Sequence, residues 1–214
     1  MRKSLLAAAT TATAVACLAL TACQSDDDSG AKSPTTQAPT PPPTDAPGNA
    51  GTDPSPGAVA QALGEPSRTV GANTVGILEI TPTTVVYLKE AGGQTSKYGT
   101  FAVVAMDEKS LSANPAAETS VAKGGGWYWI TPNGTLIAEG MGNAARVALG
   151  KYQHSGAIDP DTHQLRAKVF DLTAAQAKGG KLIYTDGTDS ADRWSMPAKD
   201  TGPQVGDVRA ELNH

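Results

Sequence analysis

The chain has 214 residues, with 17 Lys and Arg against 21 Asp and Glu, a formal net charge of −4. A balance this close to neutral excludes the strongly basic footprint of a nucleic-acid binder. With only 2 cysteines and 3 histidines, the chain has little material for a disulfide scaffold or for histidine-based acid–base chemistry.

The chain opens on Arg2 and Lys3, followed over residues 5–20 by an apolar run rich in Ala, Thr and Leu. The run is too short and too weakly apolar for a convincing membrane span. A charged start, an apolar middle and a small-residue cleavage site form the secretory pattern. At its end, Leu20-Thr21-Ala22-Cys23 matches a bacterial lipobox. Residues 1–22 are therefore predicted to be a lipoprotein signal peptide, and Cys23 the lipidated first residue of the mature chain. The competing readings are an uncleaved membrane helix and secretion with Cys23 unmodified. Cys17 leaves with the leader, so no intramolecular disulfide is possible. Acyl chains on Cys23 gain about 0.8 kcal/mol per buried methylene, and two or more chains anchor a protein stably. The predicted location is the extracytoplasmic face of the cell membrane.

Loss of Arg2 and Lys3 leaves 15 basic against 21 acidic residues, a net charge of −6. Residues 23–66 hold 9 of the 15 prolines and no aromatic side chain. Such a stretch cannot bury enough apolar surface to offset its ordering entropy, and a disordered Pro/Thr/Ala-rich linker is predicted. Residues 59–63 admit at most one helical turn. Ser29-Gly30-Ala31-Lys32 matches an S-x-x-K pattern, but in low-complexity sequence without a folded context it reads as chance.

Every aromatic residue lies between Tyr87 and Trp194. A folded domain is predicted over residues 67–200, with a tail over 201–214 that includes a short helix at 205–212. Residues 75–80 and 83–88 read as two β-branched strands, with Thr81-Pro82 as a bend or edge between them. Residues 100–107 form the next strand, and 113–126 a long loop rich in Gly, Ala and Pro. Residues 126–131 form an aromatic strand that returns through Pro132-Asn133-Gly134 to pair with 135–139. Residues 163–170 alternate: Leu165, Ala167 and Val169 are expected to face the core, and Arg166 and Lys168 water. One helical turn is expected at 173–178. A last hairpin joins 181–185 to 193–196 around Asp186-Gly187. About seven or eight short strands with almost no helix imply an antiparallel β-sandwich.

Four segments carry a resemblance: TVGILEITPTTVVYLKE at residues 74–90, residues 100–106, Phe170-Asp171-Leu172, and Arg193-Trp194-Ser195-Met196-Pro197. They resemble actinobacterial lipoproteins whose immunoglobulin-like domain is related to the small secreted immunoglobulin-like antigen of mycobacteria. The resemblance spans most of residues 70–197 and implies an all-β, immunoglobulin-like sandwich. It implies no catalytic residues.

Several constellations compete with plain structural explanations. Gly140-x-Gly142-x-x-Ala145 resembles a dinucleotide fingerprint, but the segment after it is too short for a βαβ crossover. His154, Asp159, Asp161 and His163 are all potential metal ligands, yet their spacing matches no metal motif. Asp186, Asp189 and Asp192 lack the alternation of an EF-hand. No G-x-S-x-G and no H-E-x-x-H occurs. Trp127-Tyr128-Trp129 places large rings on both faces of one strand. The rings serve either as core or as an exposed surface for a partner, and this cluster is the candidate binding surface. The predicted function is a lipid-anchored envelope module that binds an envelope protein or glycan, with no cofactor, no metal and no nucleic acid. The alternatives are an envelope enzyme with an unrecognised active site and a structural or stress-related lipoprotein.

Overall fold

The computed structural model describes residues 59–213. Cys23, the leader and most of the predicted linker lie outside the described residues. The described part is mostly β, with eleven strands: β1 Gln61–Ala62, β2 Ser67–Val70, β3 Ile77–Leu88, β4 Glu90–Ala91, β5 Gln94–Thr95, β6 Thr100–Ser110, β7 Gly126–Ile130, β8 Leu136–Ala138, β9 His163–Leu172, β10 Lys181–Thr185 and β11 Ala191–Ser195. Two helices, α1 Ala174–Ala177 and α2 Val205–Leu212, complete it, with short 3-10 turns between strands. None of the described helices is long and apolar enough to cross a membrane.

The strands form a sheet in the order β2-β3-β6-β9, a second in the order β1-β11-β10-β7-β8, and a small β4-β5 hairpin. All pairings are antiparallel except β1 with β11. One core joins the two larger sheets: Leu78, Ile80, Met106 and Phe170 from the first meet Trp127, Trp129, Tyr184 and Trp194 from the second. Buried aromatic rings dominate it, with Trp127 and Tyr184 centroids 4.8 Å apart and Trp129 and Phe170 5.8 Å apart. Gly180 is required beneath this core, because a Cβ there would stand 2.1 Å from the Trp129 indole nitrogen.

The first sheet is buried on both faces. Its other side carries Val86, Phe101, Val103, Ala105, Ala167 and Val169, covered by Ala144, Val147 and Tyr152 from 3-10 segments and by Val208 and Leu212 of α2. The predicted C-terminal tail thus closes a second core. The two strands predicted at 75–80 and 83–88 are one 12-residue strand, β3. Its register shifts between Pro82 and Thr84. The bulge inserts one residue and exchanges the faces. Leu78 and Ile80 meet the first core before it, while Val85 meets that core and Val86 the second after it.

Both predicted hairpins form. β7 pairs with β8, Tyr128 opposite Ala138, and the Gly134 amide donates to the Thr131 carbonyl at 2.9 Å with φ +86°. β10 and β11 pair around a turn held by Asp186. The α1 turn has a capping box between Thr173 and Gln176.

The ordered region starts before residue 67. Residues 59–63 do not form a helical turn: Gln61 and Ala62 add a strand alongside Trp194 and Ser195. Gly64 N donates to Pro82 O at 2.8 Å, and the Trp194 indole donates to Glu65 O at 2.8 Å. Leu63 packs against the first core. A chain beginning at Ser67 is therefore expected to unfold at lower urea, by about 1–3 kcal/mol. An unchanged urea midpoint would show that β1 adds nothing.

Candidate functional site

The main departure from the sequence expectation lies on β9. Arg166 and Lys168 do not face water; they are 1% and 7% exposed. They lie on the β9 face that carries Phe170 and Leu172 further along, between the two sheets. At this end of the core apolar side chains give way to ionic ones. Glu108 extends the same face of β6 beyond Met106. Trp127 of β7 stands opposite, and Glu139 follows β8 directly.

Glu118 comes from the long loop after β6, and its position is fixed on both sides. Ala116 forms a two-way backbone bridge with Ile158, at 3.0 and 2.8 Å. Ala72 N donates to Ala117 O at 2.7 Å, and Thr119 N to the Tyr184 hydroxyl at 2.8 Å. The Glu118 carboxylate then accepts from Lys168 Nζ at 2.6 Å, from Arg166 Nη1 at 3.2 Å and from the Trp127 indole. Arg166 also donates to Gly156 O at 2.9 Å and to Gln164 Oε1 at 2.9 Å. Glu108 Oε2 is 3.4 Å from Arg166 Nη1, an ion-pair distance without a hydrogen bond. Lys168 Nζ is 3.8 Å from Glu139 Oε1.

The two inner carboxyls are driven apart in proton affinity. Burial, then the neighbouring Glu118 charge, push Glu108 well above its ordinary value of 4.5, against the pull of Lys168 and Arg166. Burial opposes ionisation of Glu118 too, but the Lys168 charge and the hydrogen bonds from Lys168 and Trp127 outweigh it and bring Glu118 to about 2. The buried oxygens of Glu108 have no hydrogen-bond partner. A proton on Glu108 removes the repulsion between its carboxyl and that of Glu118. Burial lowers the Lys168 affinity for its proton, but Glu118, Glu139 and Glu108 raise it further, so the ammonium stays charged. Burial raises Glu139.

Above this cluster opens a cleft of about 530 Å³, walled by the Glu118 loop, by Gly140 and Ala145 after β8, and by His154, Ser155 and Gly156 before β9. Arg166, Lys168, Glu118 and Glu139 supply its charge; Glu108 lies behind them and does not line it.

The residues singled out in the sequence are distributed differently from a single surface. Trp127 and Trp129 are 1% and 0% exposed and form no outward platform; Trp127 lines the cleft. Tyr128 is half-buried on the outer face, beside Ile183. His154 lies on the cleft wall, whereas His163 pairs with Asp107 at 3.0 Å on the surface. Among the described residues no group of His, Cys, Asp and Glu is placed to hold a metal ion. Asp186 is a turn-former: it accepts from Thr188 N, Ser190 N and the Thr69 hydroxyl, and against burial the bonds from Thr188, Thr69 and Val70 hold its pKa below the ordinary value. Asp192 accepts from the Ser67 hydroxyl at 2.6 Å. Gly140 and Gly142 lead into a 3-10 turn at Ala144–Arg146, with no crossover helix.

No protein-family model and no curated protein matches the chain. Distant structural similarity links it to solved structures from Bacillus. A conserved hypothetical protein from Bacillus anthracis aligns with a TM-score of 0.40 at 14% identity, over 62% of this chain and 94% of that one. A putative lipoprotein (ycdA) from Bacillus subtilis subsp. subtilis str. 168 aligns with a TM-score of 0.38 at 14% identity, over 69% of this chain and 42% of that one. Neither description names an activity.

The ionic cluster has a pH signature of two opposite signs. Glu118 contributes stability that is present above its unfolded value of 4.5 and lost as pH falls toward about 2. Glu108 binds its proton more tightly when folded, so its contribution is complete below 4.5 and is lost as pH rises toward its folded pKa. Glu108→Gln keeps the shape of the side chain and removes the second loss. Its urea midpoint, relative to the parent, should rise as the pH increases above 4.5. A constant difference would contradict the assignment. Glu118→Gln leaves Arg166 and Lys168 without their shared anion and should cost about 3–5 kcal/mol.

Proposed function

We propose that the chain is a lipid-anchored binding module on the extracytoplasmic face of the cell membrane, attached through Cys23. Its folded part is read as an immunoglobulin-like sandwich that acts by binding an envelope partner, not by catalysis. The strand order supports the fold assignment. β3, β6 and β9 lie side by side in one sheet and β8, β7, β10 and β11 in the other, so from β3 onward the chain crosses between sheets after β6, after β8 and again after β9. A buried tryptophan on the first strand after the crossing packs in the shared core, as in immunoglobulin-like domains.

The observation that carries the functional reading is the cleft itself. It is of ligand-binding size, and its charged groups are already engaged with one another. The carboxyl whose proton affinity burial raises, Glu108, is fully buried and does not line the cleft. Its position behind the lining favours a structural role over a general-acid one. Ser120, Ser155 and His154 line the wall without hydrogen bonds to one another, which favours binding over nucleophilic catalysis.

The anchor is tested by fractionation. Cys23→Ala should move the protein from the membrane pellet to the medium, or leave it as the unprocessed precursor. Retention in the membrane at the mature size would overturn the anchor.

A further inference from the structure

The geometry points to a neutral, hydroxyl-rich ligand, a saccharide, held in the cleft between Lys168 and Glu139; this assignment rests on the binding role proposed above. Lys168 Nζ makes one short hydrogen bond, to Glu118, and has further N–H donors. Its other ion-pair partner, Glu139 Oε1, lies 3.8 Å away, beyond hydrogen-bond reach. A hydroxyl set between these groups accepts from the ammonium and donates to the carboxylate. An alcohol satisfies both ends at once, whereas a carboxylate only accepts and an ammonium only donates.

The charge balance points the same way. Two cations, Arg166 and Lys168, face two carboxylates, Glu118 and Glu139, on the cleft lining. A charged ligand would bring an uncompensated charge into a site whose own charges are matched, and would be desolvated without a partner. A neutral polyol loses only hydroxyl hydration, which the Lys168–Glu139 pair replaces. Val121, Ala122, Ala145 and Trp127 provide apolar wall for the C–H face of a sugar ring.

The test is calorimetric titration of the full chain in detergent with trehalose, maltose and N,N′-diacetylchitobiose, against glucuronate and glycine as charged and zwitterionic probes. At least one neutral disaccharide should bind. Glu139→Gln should weaken it about tenfold or more. Ala145→Trp, at an exposed position on the cleft wall, should abolish it with unchanged melting. Failure of all three disaccharides, or binding untouched by Ala145→Trp, overturns the saccharide assignment. Binding of glucuronate or glycine that Ala145→Trp removes would also overturn it, while leaving the cleft as a binding site. A thermal-shift screen with the small-molecule fraction of envelope extract separates the two levels. A shift lost in Ala145→Trp preserves the binding role even where the sugars fail, and no shift with any probe or extract overturns the binding role as well.

Discussion

A charge removed from water must be paired, and this constraint shapes one whole end of the domain. Arg166 and Lys168 project from β9 into the space between the two sheets, where an unpaired cation would be strongly destabilising. Their shared anion, Glu118, comes from a loop some fifty residues earlier in the chain. The ion pairs therefore fix the course of that loop, and Arg166 holds the Gly156 carbonyl on the opposite wall. The cleft is the space left between the segments that this pairing draws together. The third inner carboxyl, Glu108, lies 3.4 Å from Arg166 without a hydrogen bond, and burial and the Glu118 charge raise its proton affinity.

The same strand shows why the domain is deeper than two sheets alone. β9 sends Phe170 and Leu172 into the core between the sheets and Ala167 and Val169 into the second core beneath α2. β3 serves both cores through its bulge at Pro82–Thr84. Pro82 has no amide hydrogen to contribute to a ladder, so the irregularity falls where the pairing is weakest. The C-terminal segment then binds back across this point: Thr201 and Val85 exchange backbone hydrogen bonds at 2.9 and 3.0 Å, and Arg209 pairs with Asp200. The two cores thus share the strands of one sheet.

Much of this architecture was legible in residue patterns. Asn133-Gly134 and Asp186-Gly187 marked both hairpins because turn chemistry is local. The alternation along β9 separated its two faces correctly, with Leu165, Ala167 and Val169 on one and Arg166 and Lys168 on the other. What periodicity cannot state is which covering lies over each face. The signal was Phe170, in step with Arg166 and Lys168: a face that continues into Phe170 and Leu172 is a buried face, and its charges need partners. Those partners were invisible locally, because Glu118 sits in a loop of Gly, Ala and Pro with no periodicity, and Glu108 lies in the charged Asp107-Glu108-Lys109 run near the end of β6, which reads as solvent-bound. The Trp127-Tyr128-Trp129 strand could be divided into faces from sequence, but only the opposing sheet decides that both indoles are interior. β1 escaped notice because two residues of a Pro- and Ala-rich stretch carry no strand signature; their pairing depends on the edge that β11 offers.

A carboxyl at Glu108 that keeps its proton above the ordinary value of 4.5 makes the buried cluster self-consistent. Infrared difference spectroscopy between the parent chain and Glu108→Gln, at pH values stepped upward from 4.5, tests it most directly. A protonated carboxylic C=O band in the parent that vanishes in the variant is the predicted result. A parent spectrum in which the substitution removes only carboxylate bands would contradict it, and would require a further cation or an open water path beside Glu108.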